Sequence, residues 1–123
     1  MSFAAILRTL LSEAGGAVAA VLLGRDGIAI EQVEAGRLEG EQSERIASAG
    51  AELGRIFEEI RKASDSFGGG EPLETVVHLE RWWLLLRPVD PETHLLLVLA
   101  PEGNVGKARF LMRRHVTALQ AHL

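Results

Sequence analysis

Cysteine is missing from this 123-residue chain. That excludes disulfides, thiolate metal sites and cysteine nucleophiles, and it fits a reducing, cytoplasmic setting. A basic excess is missing too. Thirteen Lys and Arg stand against seventeen Asp and Glu, a formal charge of −4, so the chain has no surplus cation to collect phosphates and nucleic acid is not an expected partner. No apolar run approaches the roughly 18 residues of a membrane span, so membrane insertion is not expected. The opening Met-Ser-Phe-Ala-Ala-Ile-Leu lacks the basic segment and long apolar core of a signal peptide and reads as a helix. What remains is 47% hydrophobic and 24% charged, enough for a core and a solvated surface within one domain, residues 1–123.

The stretch around which the rest is arranged runs from Glu41 to Phe67. Ile46, Gly50, Leu53, Phe57, Ile60, Ser64 and Phe67 recur at steps of three and four, one stripe of a helix of about seven turns. Three glycines, Gly68 to Gly70, follow it and predict a flexible joint.

Before this helix, Ser2 caps a first helix over residues 3–14, and Gly15-Gly16 ends it. Ala17 to Gly24 is apolar on both faces. Arg25-Asp26-Gly27 then predicts a hairpin through a type I′ turn. Ile28 to Val33 alternates, with Ile28, Ile30 and Gln32 opposed to Ala29, Glu31 and Val33, as nearer an edge. Glu34 to Gly40 is a polar link.

Three more strands follow the long helix: Leu73–Glu80, Trp82–Val89 and His94–Ala100. Arg81 and Asp90-Pro91-Glu92 mark the turns. The last strand is apolar on both faces and so central, and the first lies at an edge. Asn104 caps a final helix from Val105 to about Ala121. The fold class is therefore α/β of the α+β type, in the order α-β-β-α-β-β-β-α. A five-stranded antiparallel sheet carries the long helix on one face and the two terminal helices on the other.

In this order, three stretches resemble the Roadblock dynein light-chain family and its bacterial MglB-like branch. They are the hairpin Ala19-Ala20-Val21-Leu22-Leu23-Gly24-Arg25-Asp26-Gly27-Ile28-Ala29-Ile30, the Ala/Gly-rich run Ile46-Ala47-Ser48-Ala49-Gly50-Ala51-Glu52-Leu53-Gly54, and the helix entry Asn104-Val105-Gly106-Lys107-Ala108-Arg109. The resemblance implies a homodimer whose edge strands pair into one long sheet with the long helices side by side. It also implies a non-enzymatic role: binding or regulating a small Ras-like GTPase, or serving as an adaptor in a motor or signalling complex. In the MglB-like branch the dimer reshapes the GTPase's own active site.

The residues place these expectations. The dimer interface is expected at Gly50, Gly54, Phe57, Glu74, Val76 and His78. Gly50 and Gly54 share a face where a backbone can come close, either the chain's own sheet or the partner's helix. The partner surface is expected on the outer face of the long helix, at Arg45, Ser48, Glu52, Arg55 and Glu59. No catalytic, cofactor or metal residue is expected. Gly103-Asn104-Val105-Gly106-Lys107 has two residues, not four, before its Gly-Lys pair, and Ala108 stands where a phosphate loop needs Ser or Thr. His78, His94, His115 and His122 lack metal-ligand spacing. Arg45, Arg55, Arg61, Arg113 and Arg114 read as solvated faces with nearby Glu partners, not as arginine fingers. Trp82 and Trp83 point to opposite faces of a strand.

Overall fold

Ser2 accepts a hydrogen bond from the Ala5 N–H at 3.1 Å and starts the first helix, α1 (Phe3–Glu13). A computed structural model describes residues 2–36 and 40–123 of the chain. The polar link expected at 34–40 lies partly outside them. After α1 come β1 (Ala17–Gly24), β2 (Ala29–Glu34), α2 (Gly40–Ser66), β3 (Thr75–His78), β4 (Trp83–Asp90), β5 (Thr93–Leu99) and α3 (Val105–Gln120). The strands form one antiparallel sheet in the order β2-β1-β5-β4-β3. The two runs apolar on both faces, β1 and β5, are thus interior, and β2 and β3 are the edges.

The alternation of a strand sends successive side chains to opposite faces, and two cores result. Leu22, Leu85, Leu95, Leu97 and Leu99 pack under α1 and α3, against Ile6, Leu7, Leu10, Leu111 and Leu119. Val21, Leu23, Leu86, Leu96 and Val98 face α2 and meet Ile46, Leu53 and Phe57. Burial of these aliphatic side chains, at about 25 cal/mol per Å² of apolar area, is the main stabilising term.

Local geometry departs from the sequence reading in four places. First, the hairpin is not a type I′ turn. Among the described residues only glycines have positive φ, so Asp26 does not. Instead the Gly27 N–H donates to the Gly24 carbonyl and Gly27 takes φ +84°, a three-residue loop with its glycine in the left-handed position. Asp26 Oδ1 accepts from the Ile28 N–H at 3.0 Å. Second, β2 slips register between Leu22↔Glu31 and Leu23↔Ala29. Ile30 is the extra residue. The slip turns Ala29 toward α2 with Gln32, and leaves Ile30 exposed. Third, β3 is only four residues long. Continuing its register would set Leu73 opposite Pro88, which has no N–H to donate. Fourth, the glycines after α2 form a bonded stop and not a loose joint. Gly68 takes φ +74°, the Gly69 N–H donates to the Ser64 carbonyl at 2.9 Å, and Ser64 Oγ donates to the Gly70 carbonyl at 2.6 Å.

Candidate interaction surface

Gly50 and Gly54 are where α2 meets its own sheet. The Gly27 turn presses directly on the helix. A Cβ on Gly50 would collide with the Gly27 carbonyl oxygen, and a Cβ on Gly54 would lie 3.2 Å from the Gly27 Cα. Of the two readings of this glycine pair, the chain's own packing holds, and their face has no room for a partner's backbone. Phe57 also points inward, packing on the sheet with its ring 6.2 Å from that of His94.

Side-chain geometry changes the rest of the expected dimer set. Glu74 is engaged by Arg109 and lies 3.6 Å from Arg87. His78 stacks on Trp83, its cross-strand neighbour, at a ring separation of 3.5 Å. Both side chains are therefore occupied on the α3 side of the sheet. Val76 stays open at 40% exposure. β3 pairs with β4 alone among the described residues, so the other edge of β3 carries unpaired backbone.

The long helix has a second apolar stripe, which takes Ile60 and Phe67 out of the inward row expected for them and adds Ala49, Ile56 and Ala63. Ala49, Ile56, Ala63 and Phe67 lie beside Ile60 at steps of three, four and seven. Ile56 is 52% exposed and Phe67 78%. Gly50 is the one fully buried residue of α2. Arg45, Ser48, Glu52, Arg55 and Glu59 lie on the remaining, outward face. Each cation of α2 is neutralised within a turn: Arg45 by Glu41 at 2.6 Å, Arg55 by Glu52, Arg61 by Glu58 and by Asp65 at 3.2 Å, and Lys62 by Glu59 at 3.4 Å. Hydrogen bonding from Arg61 holds the Glu58 carboxyl below the ordinary carboxylate range, with Arg25 adding to the effect. The same pairing raises Arg61.

A groove of about 490 Å³ separates the second half of α2 from the sheet, lined by Phe57, Arg61, Leu73, Leu86 and His94 among others. Burial lowers the His94 pKa, opposed by the nearby Asp90. The groove's two arginines, Arg25 and Arg61, are both paired with Glu58. Trp82 packs on the α2 side and Trp83 on the other, where its indole N–H donates to the Pro101 carbonyl at 3.3 Å. Among the described residues no cluster of His, Asp and Glu is arranged to hold a metal, and no helix is long and apolar enough to cross a membrane.

The chain thus has the order α-β-β-α-β-β-β-α, with α2 alone on one face of the sheet. The Roadblock/LC7 domain profile matches residues 3–100. The chain belongs to the Roadblock/LC7 domain family. Its solved relatives carry the same fold. A Roadblock/LC7 domain from Streptomyces avermitilis aligns with a TM-score of 0.84 at 20% identity, covering 99% of this chain and 98% of that one. The gliding protein MglB from Thermus thermophilus gives 0.84 at 21% identity, covering 95% and 84%. MglC from Myxococcus xanthus gives 0.70 at 27% identity over the whole of both chains. No curated protein matches by sequence. The Roadblock/LC7 match includes the hairpin and the Ala/Gly-rich helix. It ends at Ala100, so the helix entry at Asn104–Arg109 lies beyond it.

Proposed function

We propose that this Roadblock/LC7 chain is a homodimeric, non-catalytic regulator of a small Ras-like GTPase, which it binds through the outer faces of two neighbouring α2 helices. The observation that carries the reading is the pair of unused surfaces on one side of the fold. The edge of β3 has free backbone, and the Ala49–Ile56–Ile60–Phe67 flank of α2 is apolar and uncovered. Strand pairing and helix packing between two copies satisfy both at once. Val76 then lies at the new strand pair, and Ile56 and Ile60 replace Gly50, Gly54 and Phe57 as the helix contact. The outward row Arg45, Ser48, Glu52, Arg55 and Glu59 becomes one composite surface. The MglB-like resemblance supplies the GTPase as its occupant.

The test uses the purified chain and a small Ras-like GTPase from the same genome, loaded with GTP or GDP. Complex formation is followed by size exclusion, and turnover by phosphate release. The expected result is a complex and faster hydrolysis, with the double variant Glu52→Arg, Arg55→Glu weakening binding at least tenfold while its own mass stays unchanged. A complex without any change in turnover would make the chain an adaptor. No complex in either nucleotide state would exclude the GTPase as partner.

A further inference from the structure

Charge is divided across the sheet. α1 and α3 together hold five Lys and Arg (Arg8, Lys107, Arg109, Arg113 and Arg114) against one acid, Glu13. α2, on the opposite face, holds four against six. α3 carries four cations and no acid. Outside α3, the chain holds nine Lys and Arg against all seventeen Asp and Glu, so α3 is a basic element on an acidic molecule.

The contrast with α2 is in the pairing. There every cation has an acid within a turn. On α3 only Arg109 has one, Glu74. Lys107, Arg113 and Arg114 are exposed and have no acidic partner among the described residues. This corrects the expectation that Arg113 and Arg114 have nearby Glu partners. Phe110 stands among them, 56% exposed. Lys107, Arg113 and Arg114 are three before, three after and four after it, so they share its helix face.

We infer that the α1/α3 face docks on the surface of a bilayer rich in anionic lipid, with Phe110 at the headgroup boundary and Lys107, Arg113 and Arg114 on the headgroups. That the occupant is planar rests on the dimer proposed above. An antiparallel strand pair has its two-fold axis perpendicular to the sheet, so both α3 helices lie on one side and both α2 helices on the other. α3 packs over β4, next to the β3 edge, which brings the two basic faces close together. Two coplanar cationic faces, each with one aromatic side chain and no acid on α3, match an anionic plane in charge and shape. A peripheral contact of this kind needs no spanning helix. It also leaves the α2 surface facing away from the lipid.

The experiment is co-sedimentation of the full chain with vesicles of phosphatidylcholine, alone or mixed with phosphatidylserine, at low and high salt. Solution mass is measured on the same samples. Binding is expected only with phosphatidylserine, to fall steeply with salt, and to drop at least ~10-fold in Arg113→Glu, Arg114→Glu. Phe110→Ser should lose several-fold while keeping its salt dependence. Both substitutions are at exposed positions, and circular dichroism checks the fold. Equal binding to both vesicles, or no effect of the double reversal, would overturn the inference. So would binding of a soluble polyglutamate peptide with none to vesicles, which would assign the face to an acidic protein. A dimer that binds no vesicle sinks this inference alone. A monomer whose vesicle binding depends on Arg113 and Arg114 sinks the dimer and leaves the face standing.

Discussion

Gly50 sets a sign that helix propensity alone gets wrong. In a free helix, Gly→Ala gains about 1 kcal/mol. Here the new methyl meets the carbonyl oxygen of Gly27, a backbone atom that cannot rotate away. Overpacking of this kind costs about 1–3 kcal/mol, so Gly50→Ala should lower stability in a urea titration, and a gain would contradict the packing described. His94 gives a second residue-scale prediction. Burial holds its pKa below the ordinary 6.5. As pH falls from 6.5 through the folded-state value, the unfolded chain binds more protons than the folded one, so stability drops across that window and is level above it. Replacing His94 with Gln should flatten this acid limb in thermal melts, and an unchanged limb would assign it to other groups. The glycine spacing itself was legible in the sequence. Its owner was not, because a spacing of four on a helix face admits a partner's backbone or the chain's own turn equally well. Only the position of Gly27 separates the two.

At the scale of elements, pattern and period carry most of the fold. The step of three and four from Ile46 to Phe57 fixes the inward face of α2, and the doubly apolar runs of β1 and β5 mark them as interior. Asn104 Oδ1 accepts from the Lys107 N–H at 3.0 Å and caps α3. Removing it in Asn104→Ala should cost about 1 kcal/mol, or a few degrees in melting temperature, with α3 the first segment to exchange its amide protons. Equal exchange rates in variant and parent would deny the cap its role. What pattern missed was local. The extra residue at Ile30 arises from hydrogen-bond register, which alternation cannot reveal, and it reverses the face expected for Ala29. The end of β3 depends on Pro88 in a different strand. The second apolar stripe of α2 is interleaved with alanines, Ala49 and Ala63, which weaken its signal beside the stronger inward row.

For the whole molecule, the two faces of the sheet differ in charge and in what they leave uncovered. The α2 side has a neutralised, mixed surface beside an open apolar flank. The α3 side has a closed core under a basic surface. The long helix and its outward row could be placed from sequence. The charge division could not, because it appears only when α1 and α3 are known to share a side and when the pairing of each cation is known. Both the proposed GTPase surface and its orientation depend on two copies meeting at β3 and α2. Substituting Glu for both Ile56 and Ile60 places charge on that flank while leaving the core untouched, so it should yield a folded monomer. The solution mass of the parent chain, by light scattering after size exclusion over a hundredfold range of concentration, bears on all of this at once. The expected mass is twice that of the 13.3 kDa chain, unchanged on dilution. A mass of 13.3 kDa throughout that range would refute the dimer and the GTPase surface with it, because the composite α2 surface exists only in the pair.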